Sequence, residues 1–383
     1  MKKIQMVDLQ SQYLNLKNQI DEAVAGVINS TAFINGPEVK NFQKDLENYL
    51  NVKHVIPCAN GTDALQIAMM ALGLEPGDEV ITVDFTFAAT VEVIALLKLV
   101  PVLIDVDKDT FNLDIEALKK AISPRTKAIV PVHLFGQCAD METILEIAKA
   151  HNLYVIEDNA QAIGATYTFK DGSKKKAGTM GDIGTTSFFP SKNLGCYGDG
   201  GAIFTNNDEL AHKLRGIVNH GMYKRYYYDA IGVNSRLDTI QAAVLKVKLP
   251  HLDDYNRKRR EAARVYNEAF RQNPNIITPK TSKCGEICDT CDCHVFHQYT
   301  LQITNGQRDA LHQHLLEKDI PNAIYYPVPL HRQEAYKGYG YKEENFKVTN
   351  TLVETVLSLP MHTEFEKEQQ DYIIHTVLSF MKK

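Results

Sequence analysis

The 383-residue chain reads as an α/β protein: a large domain built on a mostly parallel sheet, followed by a smaller α+β domain. Two observations predict this. From Val52 to Thr205, short apolar runs alternate with amphipathic segments, the pattern of right-handed strand–helix–strand crossovers around a buried sheet. After Pro250 and a charged helix at Asp253 to Arg264, the alternation gives way to a different mix of strands and helices. The length also exceeds one ordinary compact unit. The division expected is 1–250 for the large domain, opening on a helical segment, and 251–383 for the small one.

The elements follow in order. The first fifty residues carry apolar spacing at Leu14, Ile20, Val24 and Val27, which predicts helix. Val52–Pro57 is a strand, and Gly61 opens a helix to about Leu72. Glu79–Val83 is a strand, followed by a helix from about Ala88 to Lys98. Strands at Val102–Val106, Ala128–Leu134 and Tyr154–Glu157 are separated by helices at Ile115–Ala121 and Met141–Ala150. Thr185–Phe189 and Ala202–Thr205 complete the large sheet. In the small domain, Tyr299–Ile303 and Ala323–Tyr326 read as strands, with a helix at about Arg308–Lys318 between them.

Composition excludes several function classes. A net charge of -5 gives no general attraction to nucleic acid or acidic membranes. The N-terminus has no apolar signal-peptide core, and no run is long and apolar enough to span a bilayer, so a cytoplasmic protein is expected. Seven cysteines, four of them bunched between residues 280 and 294, do not form a secreted disulfide framework. The bunched set Cys284, Cys288, Cys291 and Cys293, with His294, either binds a metal or forms a polar hairpin; its spacing matches no standard ligand motif. No Gly-x-Gly-x-x-Gly turn follows the first strand, which argues against a nicotinamide dehydrogenase.

In an open parallel sheet, ligands sit beyond the carboxyl ends of the strands, and four polar segments fall at such ends. Asn60-Gly61-Thr62-Asp63 joins a strand to a helix; it is either a simple cap or a phosphate cradle of free N–H groups. Asp158, at the end of Ile156-Glu157-Asp158, either caps the next helix or pairs with a protonated pyridine nitrogen. Gln161, one turn on, is within reach of a ring hydroxyl. In Ser187-Phe188-Phe189-Pro190-Ser191-Lys192, a strand ends in a proline turn that presents a lysine. Such an amine can condense with an aldehyde and shuttle protons, and Ser187 faces the same mouth. Phe87 is either a ring that stacks on a flat ligand or a core aromatic.

With these segments, and with Gly198-Asp199-Gly200-Gly201-Ala202 and Asn234-Ser235-Arg236-Leu237-Asp238, the chain resembles the DegT–DnrJ type of nucleotide-sugar aminotransferase over nearly its whole length. The resemblance implies an aspartate-aminotransferase-like fold of type I and pyridoxal 5'-phosphate as cofactor. It implies that Lys192 carries the cofactor, that Asp158 pairs with its ring nitrogen and that Gln161 contacts its ring oxygen. Gly61, Thr62 and Ser187 hold the phosphate, and Phe87 stacks on the ring. Asn234 reaches the phosphate from a neighbouring subunit, so a homodimer shares each site, and Arg236 binds a carboxylate or the sugar. Some relatives have histidine at the lysine position and act as dehydratases; Lys192 implies transamination. A ping-pong reaction with glutamate as donor follows, serving surface polysaccharide or O-antigen sugar synthesis.

Leu134-Phe135-Gly136-Gln137-Cys138-Ala139-Asp140 and Asn193 to Gly200 resemble the branch that aminates UDP-2-acetamido-3-oxo-glucuronate; enzymes for nucleotide 4-keto sugars share the framework. Tyr325-Tyr326-Pro327 stands where that branch has His-Tyr-Pro, so Tyr325 either touches substrate or packs as an aromatic. Lys224 and Arg225, in a tyrosine-rich loop, either hold a diphosphate or face solvent. A non-catalytic regulator that only binds the cofactor is the remaining alternative.

Overall fold

A computed structural model describes residues 2–281 and 292–382. The large sheet uses β1 (His54–Cys58), β2 (Glu79–Val83), β3 (Val100–Ile104), β4 (Thr126–Val130) and β5 (Tyr154–Asp158). A small hairpin, β6 (Thr166–Thr168) and β7 (Lys174–Lys176), interrupts the series before β8 (Ile183–Ser187) and β9 (Gly201–Thr205). The seven strands lie in the order β1-β9-β8-β5-β4-β2-β3. The five from β8 to β3 are parallel, and β9 is antiparallel to both neighbours. β1 therefore points the same way as those five, and six carboxyl ends open on one edge.

Successive side chains of a strand face opposite sides of a sheet, and the two cores follow that rule. Ile81, Ile129 and Val155 pack on one face against Met141, Ile144 and Ala148 of the helix Met141–His151. Val80, Ala128, Val130 and Ile156 pack on the other face. There they meet Ala64, Leu65 and Ala68 of the helix Gly61–Leu72 and Leu214 of the helix Asp208–Ile217. Helices on both faces leave the carboxyl edge as the open side.

A short hairpin, β10 (Met222–Lys224) and β11 (Tyr227–Tyr228), packs Tyr223 on His212 of the helix Asp208–Ile217 and leaves Tyr226, Tyr227 and Tyr228 exposed. The C-terminal unit has an antiparallel sheet of β12 (Ile276–Ile277), β13 (Tyr299–Ile303) and β14 (Val356–Leu359). Leu311 and Leu315 of the helix Arg308–Glu317 and Ile373 and Val377 of the helix Lys367–Met381 cover it. Ile4 joins the same core, so the start of the chain packs against its end.

Several boundaries differ from expectation for visible reasons. β3 starts at Val100 and includes Pro101, which lacks a donor but is tolerated because β3 is an edge strand. β4 stops at Val130 because Pro131 follows, and the chain turns into a short 3-10 segment, Leu134–Gly136. The helix expected at Asp253 to Arg264 runs from Leu252 to Phe270; Tyr266 and Phe270 lie buried in the C-terminal core, so it is more than a connector. The strand expected at Ala323–Tyr326 does not form. Ala323 makes a single bridge to Ser358, after which the chain leaves the sheet and carries Tyr325 and Tyr326 to the pocket. No helix follows Asp158 either; residues 159–165 form turns.

Candidate active site

The carboxyl edge of the large sheet and the C-terminal unit enclose a cavity of about 620 Å³. Its wall brings together Gly61, Thr62, Phe87, Asp158, Gln161, Ser187, Lys192, Tyr325 and Tyr326, residues separated by up to 265 positions in sequence. Those of the large sheet arrive at the end of a strand or on the segment that follows one, and Tyr325 and Tyr326 come from the C-terminal unit.

The helix Gly61–Leu72 starts beyond β1. Asn60 caps it, its Oδ1 accepting from the Asp63 amide at 2.8 Å. The amides of a first helical turn have no partner within the helix, and their dipoles favour an anion. The close approach of three segments fixes glycine here. A Cβ on Gly61 would lie 2.8 Å from the Ser187 Cβ, and one on Gly201 would lie 2.4 Å from the Asn60 carbonyl oxygen. β1, β8 and β9 thus close into a cradle with Thr62 and the Ser187 hydroxyl at its rim.

Asp158 sits at the end of β5, nearly buried, with Oδ2 accepting from the Thr90 hydroxyl at 2.8 Å and Oδ1 from the Ala160 amide at 3.1 Å. Behind it, fully buried Glu157 is surrounded by donors. The amides of Gly178, Met180 and Gly181 donate to it at 2.8, 2.5 and 2.6 Å, and the His133 ring meets Oε2 at 2.9 Å. The His133 Nδ1 accepts from the Ala139 amide at 3.1 Å, which leaves the ring proton on Nε2, facing Glu157. This network anchors the strand end that carries Asp158.

Lys192 follows β8 in a turn closed by its own amide donating to the Phe189 carbonyl at 2.8 Å. Withdrawal from water lowers its pKa to about 8, while the Asp158 carboxylate opposes that shift. An appreciable fraction of its amine is therefore neutral and nucleophilic near neutral pH. Gln161 is held in place at both ends: its Oε1 accepts from the Phe135 amide at 2.7 Å, and its Nε2 donates to the Tyr326 hydroxyl at 3.2 Å. The Phe87 ring is open to the cavity, 58% exposed, with its centroid 6.5 Å from that of Tyr326.

Four residues singled out in the sequence do not line this pocket. Asn234 is exposed and pairs with Asn219 in an isolated bridge. Arg236 donates to the Asn219 side chain at 3.2 Å, and its Nε is buried without a partner. Lys224 and Arg225 stand on the β10–β11 hairpin over the rings of Tyr227 and Tyr226, at 4.5 and 4.9 Å. Cys284, Cys288 and Cys291 lie outside the described residues, and Cys293 is half-buried. Among the described residues no group of His, Cys, Asp and Glu is arranged to hold a metal ion.

Sequence reasoning missed Thr90, His297 and Gln298. Thr90 lies inside an apolar helix, where a threonine carries no signal of its own. His297 and Gln298 precede β13, at least 98 residues from the pocket residues of the large sheet, and only folding brings them to the wall.

An anion cradle at a helix start, a nucleophilic lysine, a nearly buried carboxylate and an open aromatic ring suit one ligand type: a phosphorylated aromatic aldehyde with a basic ring nitrogen. The residues present fit pyridoxal 5'-phosphate, and the arrangement defines a lysine-dependent, amino-group-transferring enzyme. Comparison with known proteins makes that specific. The chain belongs to the DegT/DnrJ/EryC1/StrS aminotransferase family, whose pattern matches residues 15–378.

It is 45% identical to a pleiotropic regulatory protein of Geobacillus stearothermophilus over 99% of each chain. It is 44% identical to a UDP-2-acetamido-2-deoxy-3-oxo-D-glucuronate aminotransferase of Pseudomonas aeruginosa, over 94% of this chain and 95% of that one. It is 42% identical to a UDP-N-acetyl-3-dehydro-alpha-D-glucosamine 3-aminotransferase of Acidithiobacillus ferrooxidans, over 96% and 95%. A crystal structure of a family member from Brucella abortus superposes with a TM-score of 0.92 at 43% identity, covering 99% of this chain and 100% of that one. A Bacillus subtilis structure with bound PMP cofactor gives a TM-score of 0.86 at 32% identity, covering 96% and 82%. The chain is a pyridoxal-phosphate-dependent sugar aminotransferase. Among the described residues no helix is long and apolar enough to cross a membrane.

Proposed function

We propose that this chain transfers the amino group of glutamate to UDP-2-acetamido-3-oxo-glucuronate, through a homodimer in which each pocket is completed by the neighbouring subunit. The substrate reading draws on two relatives whose names each specify a UDP-linked sugar oxidised at carbon 3. The observation that carries the catalytic reading is Lys192 and Asp158 in one pocket, the lysine's amine made available near neutral pH.

When bound, pyridoxal phosphate supplies an electron sink for the carbon that gains or loses nitrogen. The chain's own residues do the rest. Lys192 would hold the cofactor through its amine and would move the proton at the reacting carbon. Asp158, positioned by Thr90 and Ala160, keeps the ring nitrogen positive. Gly61, Thr62 and Ser187 would hold the phosphate, Phe87 would stack on the ring, and Gln161 would contact the ring oxygen. Asn234 and Arg236 act across the subunit boundary; the exposed position of Asn234 outside its own pocket supports this, as do the exposed apolar residues Phe33, Ile34 and Ile231. Lys224 and Arg225 serve the diphosphate in this reading, and Tyr325 and Tyr326 the sugar.

The test has two arms. Borohydride reduction of the cofactor-loaded protein followed by peptide mapping is expected to place the adduct on Lys192; an adduct on another lysine overturns the site. Turnover with glutamate on a panel of UDP-3-keto and nucleotide 4-keto sugars is expected to favour the UDP-3-keto-glucuronate. Reaction with 4-keto sugars alone replaces the substrate and leaves the family standing. The regulatory name of one relative keeps a non-catalytic reading in view; cofactor absorbance that glutamate does not change would favour it.

A further inference from the structure

The two sides of the pocket differ in charge. The large domain contributes Lys192, Asp158, Asp63 and Asp199, whereas the C-terminal unit contributes only uncharged polar groups: His297, Gln298, Tyr325 and Tyr326. His297 is 4% exposed, and its Nδ1 is buried with no hydrogen-bond partner. Among the described residues Nε2 has no hydrogen-bond partner either, so the N–H that the ring must carry is unpaired at the pocket wall, and a polar group left unpaired in a buried side chain is uncommon and unfavourable.

The ring's chemical form follows from its surroundings. Burial, and then the positive charges of Lys192 and Arg259, push its pKa well below the ordinary value, so the imidazole is neutral. A neutral ring carries one N–H. With nothing near Nδ1 to accept it, that proton belongs on Nε2, because a buried lone pair is tolerated better than an orphaned N–H. His297 is therefore a neutral donor. Its backbone is fixed on both sides. Arg259 donates to the carbonyls of Phe296, His297 and Met361 at 3.1, 3.3 and 3.1 Å. Gly136 lies so close that a Cβ there would stand 2.9 Å from the His297 nitrogen.

We propose that His297 determines sugar specificity: its Nε2–H donates to an uncharged oxygen, a hydroxyl or keto oxygen, of the sugar being aminated. The assignment rests on the reading of the substrate as a nucleotide-linked keto-sugar and adds the residue that recognises it. The neutral wall argues for a sugar oxygen over the amino donor's carboxylates, which are matched far better by a guanidinium or an ammonium. A sugar lacking that oxygen leaves the imidazole unpaired, which is how a polar site rejects a close analogue.

The test uses full-length, cofactor-loaded H297L and H297Q, with Lys192 adduct formation and thermal midpoint confirming that each variant is folded and loaded. The glutamate and keto-sugar half-reactions are followed separately by absorbance. In H297L, kcat/KM for the sugar half-reaction is expected to fall roughly 10- to 100-fold, with the glutamate half-reaction changed less than about threefold. H297Q, which keeps an N–H donor, is expected to recover most of the loss. If H297L does not load cofactor, H297F fills the ring volume without the donor and takes its place. Equal losses in both half-reactions, or no loss in the sugar half-reaction, overturn the assignment. Wild-type protein that carries cofactor on Lys192 but aminates no nucleotide keto-sugar overturns the underlying reading instead.

Discussion

Glu157 offers the sharpest test of how the site is held. Substituting Glu157→Gln keeps the shape and removes one acceptor. The carboxylate receives from Met180 and Gly181 at one oxygen and from Gly178 and His133 at the other. A glutamine amide group must occupy one of those two positions, and in either orientation it faces two donors with a donor of its own. Each unsatisfied buried donor costs about 1–3 kcal/mol, so the variant is expected to lose about 4 kcal/mol. For a chain of 383 residues, an unfolding entropy of about 2.1 cal/mol/K per residue converts this to a fall in Tm of about 5 °C. Differential scanning calorimetry of the cofactor-free protein measures it directly. A change of less than about 1 °C would show that the donors find other partners, and the anchoring role assigned to Glu157 would be refuted.

Two further outcomes follow from the pocket. Gly61→Ala places a methyl 2.8 Å from the Ser187 Cβ and 3.3 Å from its Cα, against backbone that cannot yield easily. The helix start must shift, with an overpacking cost of about 1–3 kcal/mol and a weakening of cofactor binding of roughly 10- to 100-fold, read by equilibrium dialysis. Lys192 has its folded pKa lowered to about 8 from 10.5, so the neutral amine becomes dominant above pH 8. The rate at which cofactor-free protein captures pyridoxal phosphate on Lys192 is expected to rise roughly tenfold from pH 7 to pH 9 and then level off. The sign for stability agrees: between about pH 8 and 10.5 the unfolded chain binds the proton that the folded chain has released, so this group favours folding more as pH rises through that window. A rate that still climbs nearly in proportion to hydroxide from pH 8 to pH 10 would mean an unperturbed lysine.

Much of the large sheet was legible because its physics is local. Glu79–Val83 and the helices Gly61–Leu72 and Ile115–Ala121 have the observed bounds, since a continuous apolar run or an amphipathic turn announces itself within a dozen residues. The strand expected at Ala323–Tyr326 failed for the opposite reason. Its residues suit a strand, but whether they pair depends on where β14 lies and on the pull of the pocket, neither of which a local pattern contains.

The sequence alone determined the covalent chemistry available here: a lysine after a proline turn, a carboxylate closing an apolar strand, and a glycine opening a helix, each readable because it sits at the junction of two elements. The tertiary structure decided what those groups face. Thr90 reaches Asp158, Gln161 reaches Tyr326, and His297 approaches Lys192 across gaps of 68, 165 and 105 residues. Hydrogen bonds and charges act over a few ångströms of space whatever the separation along the chain. Their partners, and the shift of the lysine toward neutrality, therefore exist only once the sheet edge and the C-terminal unit have closed around one cavity.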